Sequence, residues 1–294
     1  MINQQYQANP PNLIEVISYE DILAEMKDKL IELYPAFNAM TESDPVYKLL
    51  EVSAYFRVLD RQRVNDAALS VLLDYATKND LDEIGKRYDV KRKVITPEDD
   101  KTVPPTPAVM ESDDDYRIRI PLAFEGMSVA GPVNAYRYHA LQADNSIADV
   151  SAISPSPGEV LISLLSYNDN GHVNDDVIDI VYQALNRDDV RPLTDKVTVQ
   201  SSEIIEYKIS ATLYIAEGPN NELILSDAKQ RAMSYVSEQA RIGRNIRLSI
   251  LNGILSVDGV QNVIIHIPEN DIVLDKTQAS FCTDIKLDYG GEDE

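Results

Sequence analysis

The sequence predicts an α+β protein, in which long N-terminal helices are followed by two small α+β domains with mixed or antiparallel sheets. Three observations predict this class. Residues 46–77 contain no proline or glycine and have helical periodicity. Residues 131–166 have the pattern of a helix, a strand, a turn and a second strand. Residues 205–216 alternate apolar and polar side chains, the period of a long half-buried strand.

The N-terminal region, residues 1–95, is predicted to be helical. Ser18 has the spacing of a capping box, and the apolar periodicity after it stops at Pro35. Asp44 starts the second helix, which would extend roughly 48 Å if it continued to about Thr77. A short third helix is expected with Asp80 as its cap.

The long second helix has two interpretations at this point. It could pack only on the first helix of its own chain. It could also join helices of partner subunits in a bundle, because such rods exceed what a small domain needs.

A proline-rich arm and a helix form the next region, residues 96–129. Four prolines among charged and small residues in 94–111 indicate an extended arm. Ser112 then caps a helix. The acidic run Asp113–Asp115 offers hard oxygen ligands for a divalent cation, but acidic residues in a first helical turn also complement the helix dipole. The second interpretation is favoured, because other ligands of a calcium loop are absent.

The central region, residues 130–200, is predicted to be a small α+β domain. Gly131–Pro132 is a helix-start signal, and alternation follows in residues 148–153. The sequence Pro155-Ser156-Pro157-Gly158 must turn before an apolar strand. Asn174 caps a further helix, and residues 196–200 form another strand.

The last region, residues 201–294, is predicted to be a second α+β domain. The strand at 205–216 should be the spine of its sheet, and a turn at Gly218–Pro219 leads to helices, including Leu248–Leu255. Strands at 260–267 and 283–289 should pair with each other. This order favours helices on one face of a mainly antiparallel sheet.

Composition limits the classes of partner. The chain has 294 residues, a formal net charge of −22 and a single cysteine. Each of the four regions is net negative, so a phosphate-tracking surface and binding to anionic lipid are disfavoured. No apolar run reaches the about 18 residues of a membrane helix, and residues 1–11 lack the pattern of a secretory signal. Proteins are therefore the expected partners.

No catalytic, cofactor-binding or metal site is predicted. The three histidines, His139, His172 and His266, lie on different predicted elements and make no metal-binding pair. Cys282 sits beside a strand and is expected to be a small core residue. A pair of carboxylates at glycosidase separation is the one enzymatic arrangement that remains open among 49 acidic residues.

The central motifs carry a family resemblance. The chain resembles the baseplate J proteins of contractile phage tails and R-type tailocins, in the motifs Ala130-Gly131-Pro132, Ala135-Tyr136-Arg137-Tyr138-His139-Ala140, Ile147-Ala148-Asp149-Val150 and Ser154-Pro155-Ser156-Pro157-Gly158-Glu159-Val160. These are scaffold motifs and mark no active site. Arg117 and Arg119, after the acidic run, also match the family.

The resemblance implies a structural subunit of the baseplate wedge, made in the bacterial cytoplasm and located in a virion or tailocin particle. Its implied partners are other copies of itself, a smaller I-like wedge subunit, a W-like sheath initiator and the central spike hub. The C-terminal domain would link wedges into a ring and transmit the trigger for sheath contraction. The residues expected in the helical bundle are Leu49, Phe56, Val64, Val71 and Tyr75. The alternatives are a tail-assembly chaperone and a tail-associated glycan hydrolase.

Overall fold

A computed structural model describes residues 12–36, 41–101, 104–128, 130–216 and 221–291. The chain forms two compact units, residues 1–91 and residues 92–294. Helices and small mixed or antiparallel sheets confirm the predicted α+β class. The predicted N-terminal segment 1–11 and the turn at Gly218–Pro219 lie outside the described residues.

The described part of the first unit contains three helices, α1 (Tyr19–Leu33), α2 (Pro45–Ser70) and α3 (Lys78–Arg87). Ser18 caps α1 as predicted, and its hydroxyl accepts a hydrogen bond from the amide of Asp21 at 3.2 Å. Helices α1 and α2 pack through a small buried cluster of Ile22, Leu23 and Ala54. The described part of α1 and α2 therefore forms a helical hairpin within this unit.

The predicted extent of the second helix is wrong. Helix α2 ends at Ser70, about seven residues early, and is therefore about 39 Å long. The chain then turns, with the amide of Ala76 donating to the carbonyl of Leu72 at 2.8 Å. This turn buries Ala76 and Leu81, which a straight helix would carry away from the unit. Helix α3 accordingly starts earlier than predicted and has Thr77, rather than Asp80, at its N-cap.

The second unit opens with a small hairpin. Strands β1 (Val94–Thr96) and β2 (Val109–Met110) pair antiparallel, so the ends of the proline-rich segment lie side by side. Helix α4 (Asp113–Glu125) follows with Ser112 as its N-cap, as predicted. The Ser112 hydroxyl accepts from the amide of Asp115 at 3.1 Å.

The central domain has the predicted helix–strand–turn–strand order, followed by a helix and a third strand. The elements are α5 (Val133–Ala143), β3 (Ile147–Ile153), β4 (Glu159–Ser166), a 3-10 turn (Asp169–Gly171), α6 (Asp175–Leu185) and β5 (Lys196–Ser201). The strand order is β3-β4-β5, with β3 antiparallel and β5 parallel to β4. Gly158 has a φ of +80° in the turn between β3 and β4, a conformation that favours glycine. Helices α5 and α6 close one buried core with these strands.

The C-terminal domain contains β6 (Glu203–Ile215), α7 (Asn221–Gln239), α8 (Leu248–Leu255), β7 (Val260–Ile267) and β8 (Gln278–Tyr289). Its strand order is β7-β6-β8, so the prediction that the last two strands pair is wrong. Strand β8 begins five residues earlier than predicted and runs parallel to β6 from Glu203 to Leu213. Inward side chains of β8, Ile285 and Leu287, thereby join the core of β6. The sheet is mixed rather than mainly antiparallel.

Candidate assembly surface

Helix α2 has one side that is occupied by its own unit. Ala54 is fully buried there, and Asn65 is 5% exposed. The Asn65 side chain binds the backbone of the segment before α1. Its amide oxygen accepts from the Glu15 N–H at 3.1 Å, and its amide nitrogen donates to the Glu15 carbonyl at 2.9 Å. Arg61 pairs with the Glu15 carboxylate at 2.7 Å.

Another side of α2 exposes large apolar side chains. Five of them fall within an arc of about 120°, at about 100° per residue, and together are called the α2 stripe: Leu49, Val52, Tyr55, Phe56 and Leu59. Their exposed fractions run from 46% for Leu59 to 66% for Leu49. The Tyr55 and Phe56 rings pack edge to face with centroids 5.6 Å apart. An exposed apolar face of this kind is typical of surfaces that contact another protein.

The residues expected in the bundle fall into three groups. Leu49 and Phe56 belong to the α2 stripe. Val64 is exposed but turned about 80° away from Phe56, and Val71 follows the last residue of the helix. Tyr75 lies beyond α2 and is half-buried.

The structure thus places two of these residues on one surface and leaves the other three apart. Val52 and Leu59, which the sequence reasoning missed, lie three residues after Leu49 and Phe56. Testing every apolar residue for i, i+3 neighbours would have found them.

Positive charge accompanies the α2 stripe. Helix α2 carries four basic and three acidic residues, in a chain whose net charge is −22. Arg57 and Arg63 are exposed and form no ion pair within the described part of the chain, whereas Lys48 pairs with Glu51 at 2.8 Å. Arg63 falls within the arc of the α2 stripe, about 20° from Phe56, whereas Arg57 lies about 80° outside that arc. The Arg63 guanidinium is therefore the one available to an acidic side chain of a partner on this surface.

The acidic run at the start of α4 is satisfied by arginines. Asp113 pairs with Arg92 at 2.8 Å, and Asp114 with Arg117 at 2.7 Å. Asp115 contacts the guanidinium of Arg241. Within the described residues, no three His, Cys, Asp or Glu side chains are grouped as a metal site.

The remaining reactive side chains have structural surroundings. The Nε2 atom of His139 lies 3.1 Å from the carbonyl oxygen of Gly126, and burial lowers the pKa of this histidine. Cys282 is half-buried in β8, and burial raises the pKa of its thiol, which makes the thiolate scarcer. In the described parts of the chain, no helix is long and apolar enough to cross a membrane.

Comparison with known proteins identifies the family. Three family models match successive parts of the chain: the baseplate J-like N-terminal domain at residues 42–99, the central domain at 128–201 and the C-terminal domain at 207–288. The chain belongs to the baseplate J-like family. Baseplate protein J of Escherichia phage P2 is 51% identical to this J-like chain over 295 residues, covering 98% of each. Because it belongs to this family, the J-like chain is a structural subunit of a phage tail baseplate.

A solved assembly gives a weaker likeness. The cryo-EM structure of the anti-feeding prophage baseplate matches 60% of this J-like chain and 44% of the solved chain, at 10% identity and a TM-score of 0.39. A TM-score this low defines no common fold.

The α2 stripe lies within the N-terminal family match.

Proposed function

We propose that this J-like chain is a subunit of the baseplate wedge of a contractile tail, in a phage or tailocin particle. Its N-terminal helices enter a helical bundle, and its C-terminal domain contacts other copies in the inner ring around the spike. The ring transmits the trigger for sheath contraction by rearranging these contacts. The role is mechanical and needs no bond chemistry.

The observation that carries the proposal is the α2 stripe. A row of side chains such as Val52, Phe56 and Leu59 leaves apolar area in contact with water in the isolated chain. Burying a fully exposed side chain of this size contributes about 1.5–3 kcal/mol. These side chains are already about half covered, so covering the rest of one contributes on the order of 1 kcal/mol. A helix of another subunit fits this surface, because a helix can lay its own apolar face along a row of i, i+3, i+4 and i+7 anchors.

The smaller I-like wedge subunit is the proposed occupant of the α2 stripe. Arg63 favours an amphipathic helix that carries an acidic side chain beside its apolar face. Contacts with other copies are assigned to the C-terminal domain, and contacts with the W-like sheath initiator and spike hub follow from the place in the wedge.

Quantitative mass spectrometry of purified particles tests the wedge role. Peptides of this chain should appear at a small multiple of six copies per particle. Abundant particles that lack the chain would instead indicate an assembly chaperone or a detachable enzyme. Loss of wall lysis, with intact particles, after substitution of a single Asp or Glu would support the glycan hydrolase.

A substitution in the α2 stripe tests the surface itself. Phe56→Glu should weaken binding of the I-like subunit at least tenfold, because it removes an apolar anchor and brings a carboxylate into the interface. Leu193→Glu is the matched control, since Leu193 is 99% exposed and lies in the second unit. Binding can be measured by titration calorimetry with purified proteins. If Phe56→Glu bound the I-like subunit as tightly as the parent chain, the α2 stripe would not be part of the interface.

A further inference from the structure

The central and C-terminal domains meet at a short covalent link. Only Ser202 separates β5 from β6, and its amide donates to the carbonyl of Leu164 at 2.8 Å. Each domain has a separate buried core on its own side of this link. Because a single residue links the domains, their relative orientation depends on the non-covalent contacts between them.

A polar contact bridges the two domains on one side. Arg241 follows α7, and its Nη1 donates to the carbonyl of Ala148 in β3 at 3.0 Å. The same guanidinium contacts the carboxylate of Asp115 in α4. The amide of Ile242 donates to Asp149 Oδ2 at 3.1 Å. These contacts of residues 241 and 242 with α4 and with β3 of the central domain are called the 241–242 joint.

The charges at the joint are balanced and mostly withdrawn from water. Asp115 and Asp149 have side chains that are 13% and 14% exposed, and Arg241 is 21% exposed. Arg137 completes the set, because it pairs with Asp149 at 3.5 Å and donates to the carbonyl of Val150 at 2.9 Å. Tyr167 donates its hydroxyl to Asp115 at 2.8 Å.

Removing one of these four charged side chains leaves an uncompensated charge near the domain boundary. Burial raises the pKa of Asp149 and lowers the pKa of Arg241, so each charged form depends on its partners. Breaking a buried pair from one side is costly for this reason. An apolar contact also crosses the boundary, where Ile204 lies close to Gly171.

We propose that the 241–242 joint fixes the orientation of the C-terminal domain on the central domain. Opening the joint frees the C-terminal domain to turn about Ser202 while both cores stay folded. Arg241 and Asp149 are positioning residues in this scheme. If the C-terminal domain makes the ring contacts, which rests on the proposed function, the joint is where a change in the ring reaches the rest of the subunit.

Distance measurements between the two domains test the joint in the full chain. Spin labels are attached at Asp188→Cys and Lys229→Cys in a Cys282→Ala background, since positions 188 and 229 are exposed and lie in different domains. Double electron–electron resonance should give one narrow distance distribution for the parent. Arg241→Met should add a second, broader population, and Arg241→Lys should restore most of the narrow one.

The control for this experiment is Lys286→Met. Lys286 pairs with Asp288 at 3.0 Å on the exposed surface of the C-terminal domain, away from both labels in the sequence, so its loss should leave the distribution unchanged. An unchanged distribution in the double variant Arg241→Met, Asp149→Asn would overturn the proposal.

If the variants unfold, hydrogen exchange of the unmodified chain tests whether the 241–242 joint opens separately from the two cores. The Ile242 amide should exchange at least tenfold faster than amides of Leu164 in β4 and Leu213 in β6, because the joint opens without opening either core. Exchange of Ile242 as slow as these core amides would show that the joint does not open separately, and the proposal would fail. Both measurements use the isolated chain, so they are independent of the wedge role.

Discussion

Lys93 is a buried lysine at the start of the second unit. It is 5% exposed, and its ammonium group donates to the carbonyls of Asp144 and Ile147, each at 3.1 Å. Burial lowers the pKa of Lys93 to about 8, and the nearby Arg119 guanidinium acts in the same direction. Glu111 opposes this shift, but it is already engaged with Arg119 at 2.6 Å. Burying the ammonium therefore costs stability while Lys93 is protonated.

The pH dependence of unfolding should report Lys93. The pKa is about 8 in the folded chain and 10.5 for an ordinary lysine, so the unfolded state binds more protons between these values. The contribution of Lys93 to stability is complete above pH 10.5. It is lost as the pH falls from 10.5 through 8, because the ammonium must then be buried in its charged form. From pH 7 to pH 9.5 its contribution should rise by about 2 kcal/mol.

Urea unfolding at several pH values measures this contribution. Lys93→Met should lack the rise that Lys93 supplies to the parent chain. Lys196→Met is the matched control, because the Lys196 side chain is 78% exposed and its variant should keep the slope of the parent. A Lys93→Met chain with the same pH slope as the parent would mean that the buried ammonium titrates normally.

At the scale of elements, the sequence predicted the starts of helices better than their ends. Ser18 and Ser112 cap α1 and α4 through bonds to residues three positions away, so local sequence determines both starts. The end of α2 at Ser70 depends on burying Ala76 and Leu81, which is a tertiary effect. The pairing of β8 with β6 rather than β7 is likewise a tertiary choice between two neighbouring strands, and alternation alone carries no information about it.

Asn65 connects α2 to the segment that precedes α1. Asn65→Ala removes both hydrogen bonds to the Glu15 backbone and should destabilise that attachment by about 2 kcal/mol, at about 1 kcal/mol for each bond. Amide exchange at Glu15 in the full chain measures the effect and should become faster by more than tenfold. Gln62→Ala is the control, since Gln62 is exposed and its side-chain amide donates to Asp66 on the same helix. An unchanged Glu15 amide would show that the ion pair with Arg61 holds the segment alone.

At the scale of the whole molecule, the domain contacts could not be predicted from the sequence. Arg241 and Ile242 meet Ala148 and Asp149 across 93 positions of chain. No periodicity or motif links residues that far apart. The α2 stripe was partly predictable, because its residues are neighbours on one helix, yet Val64 and Val71 show that apolar character does not fix the face. The family motifs identified the chain without indicating either surface.

The overall charge makes a prediction about salt. Two copies, each with a net charge of −22, repel at low ionic strength, whereas the exposed Arg57 and Arg63 attract an acidic helix. Raising sodium chloride from about 0.1 M to about 1 M shortens the screening length from about 10 Å to about 3 Å. Self-association should therefore strengthen, while binding of the I-like subunit should weaken.

Sedimentation velocity of the purified chain, alone and mixed with the I-like subunit, measures both equilibria under the same conditions. The double variant Arg57→Gln, Arg63→Gln should reduce the salt dependence of I-like binding, because it removes positive charge from α2. It should slightly increase that of self-association, because each copy then carries a more negative net charge than −22. Self-association that weakens with salt would instead place an attractive charged contact between copies. Binding of the I-like subunit that is insensitive to both salt and the double variant would mean that the partner helix covers the α2 stripe through apolar contact alone.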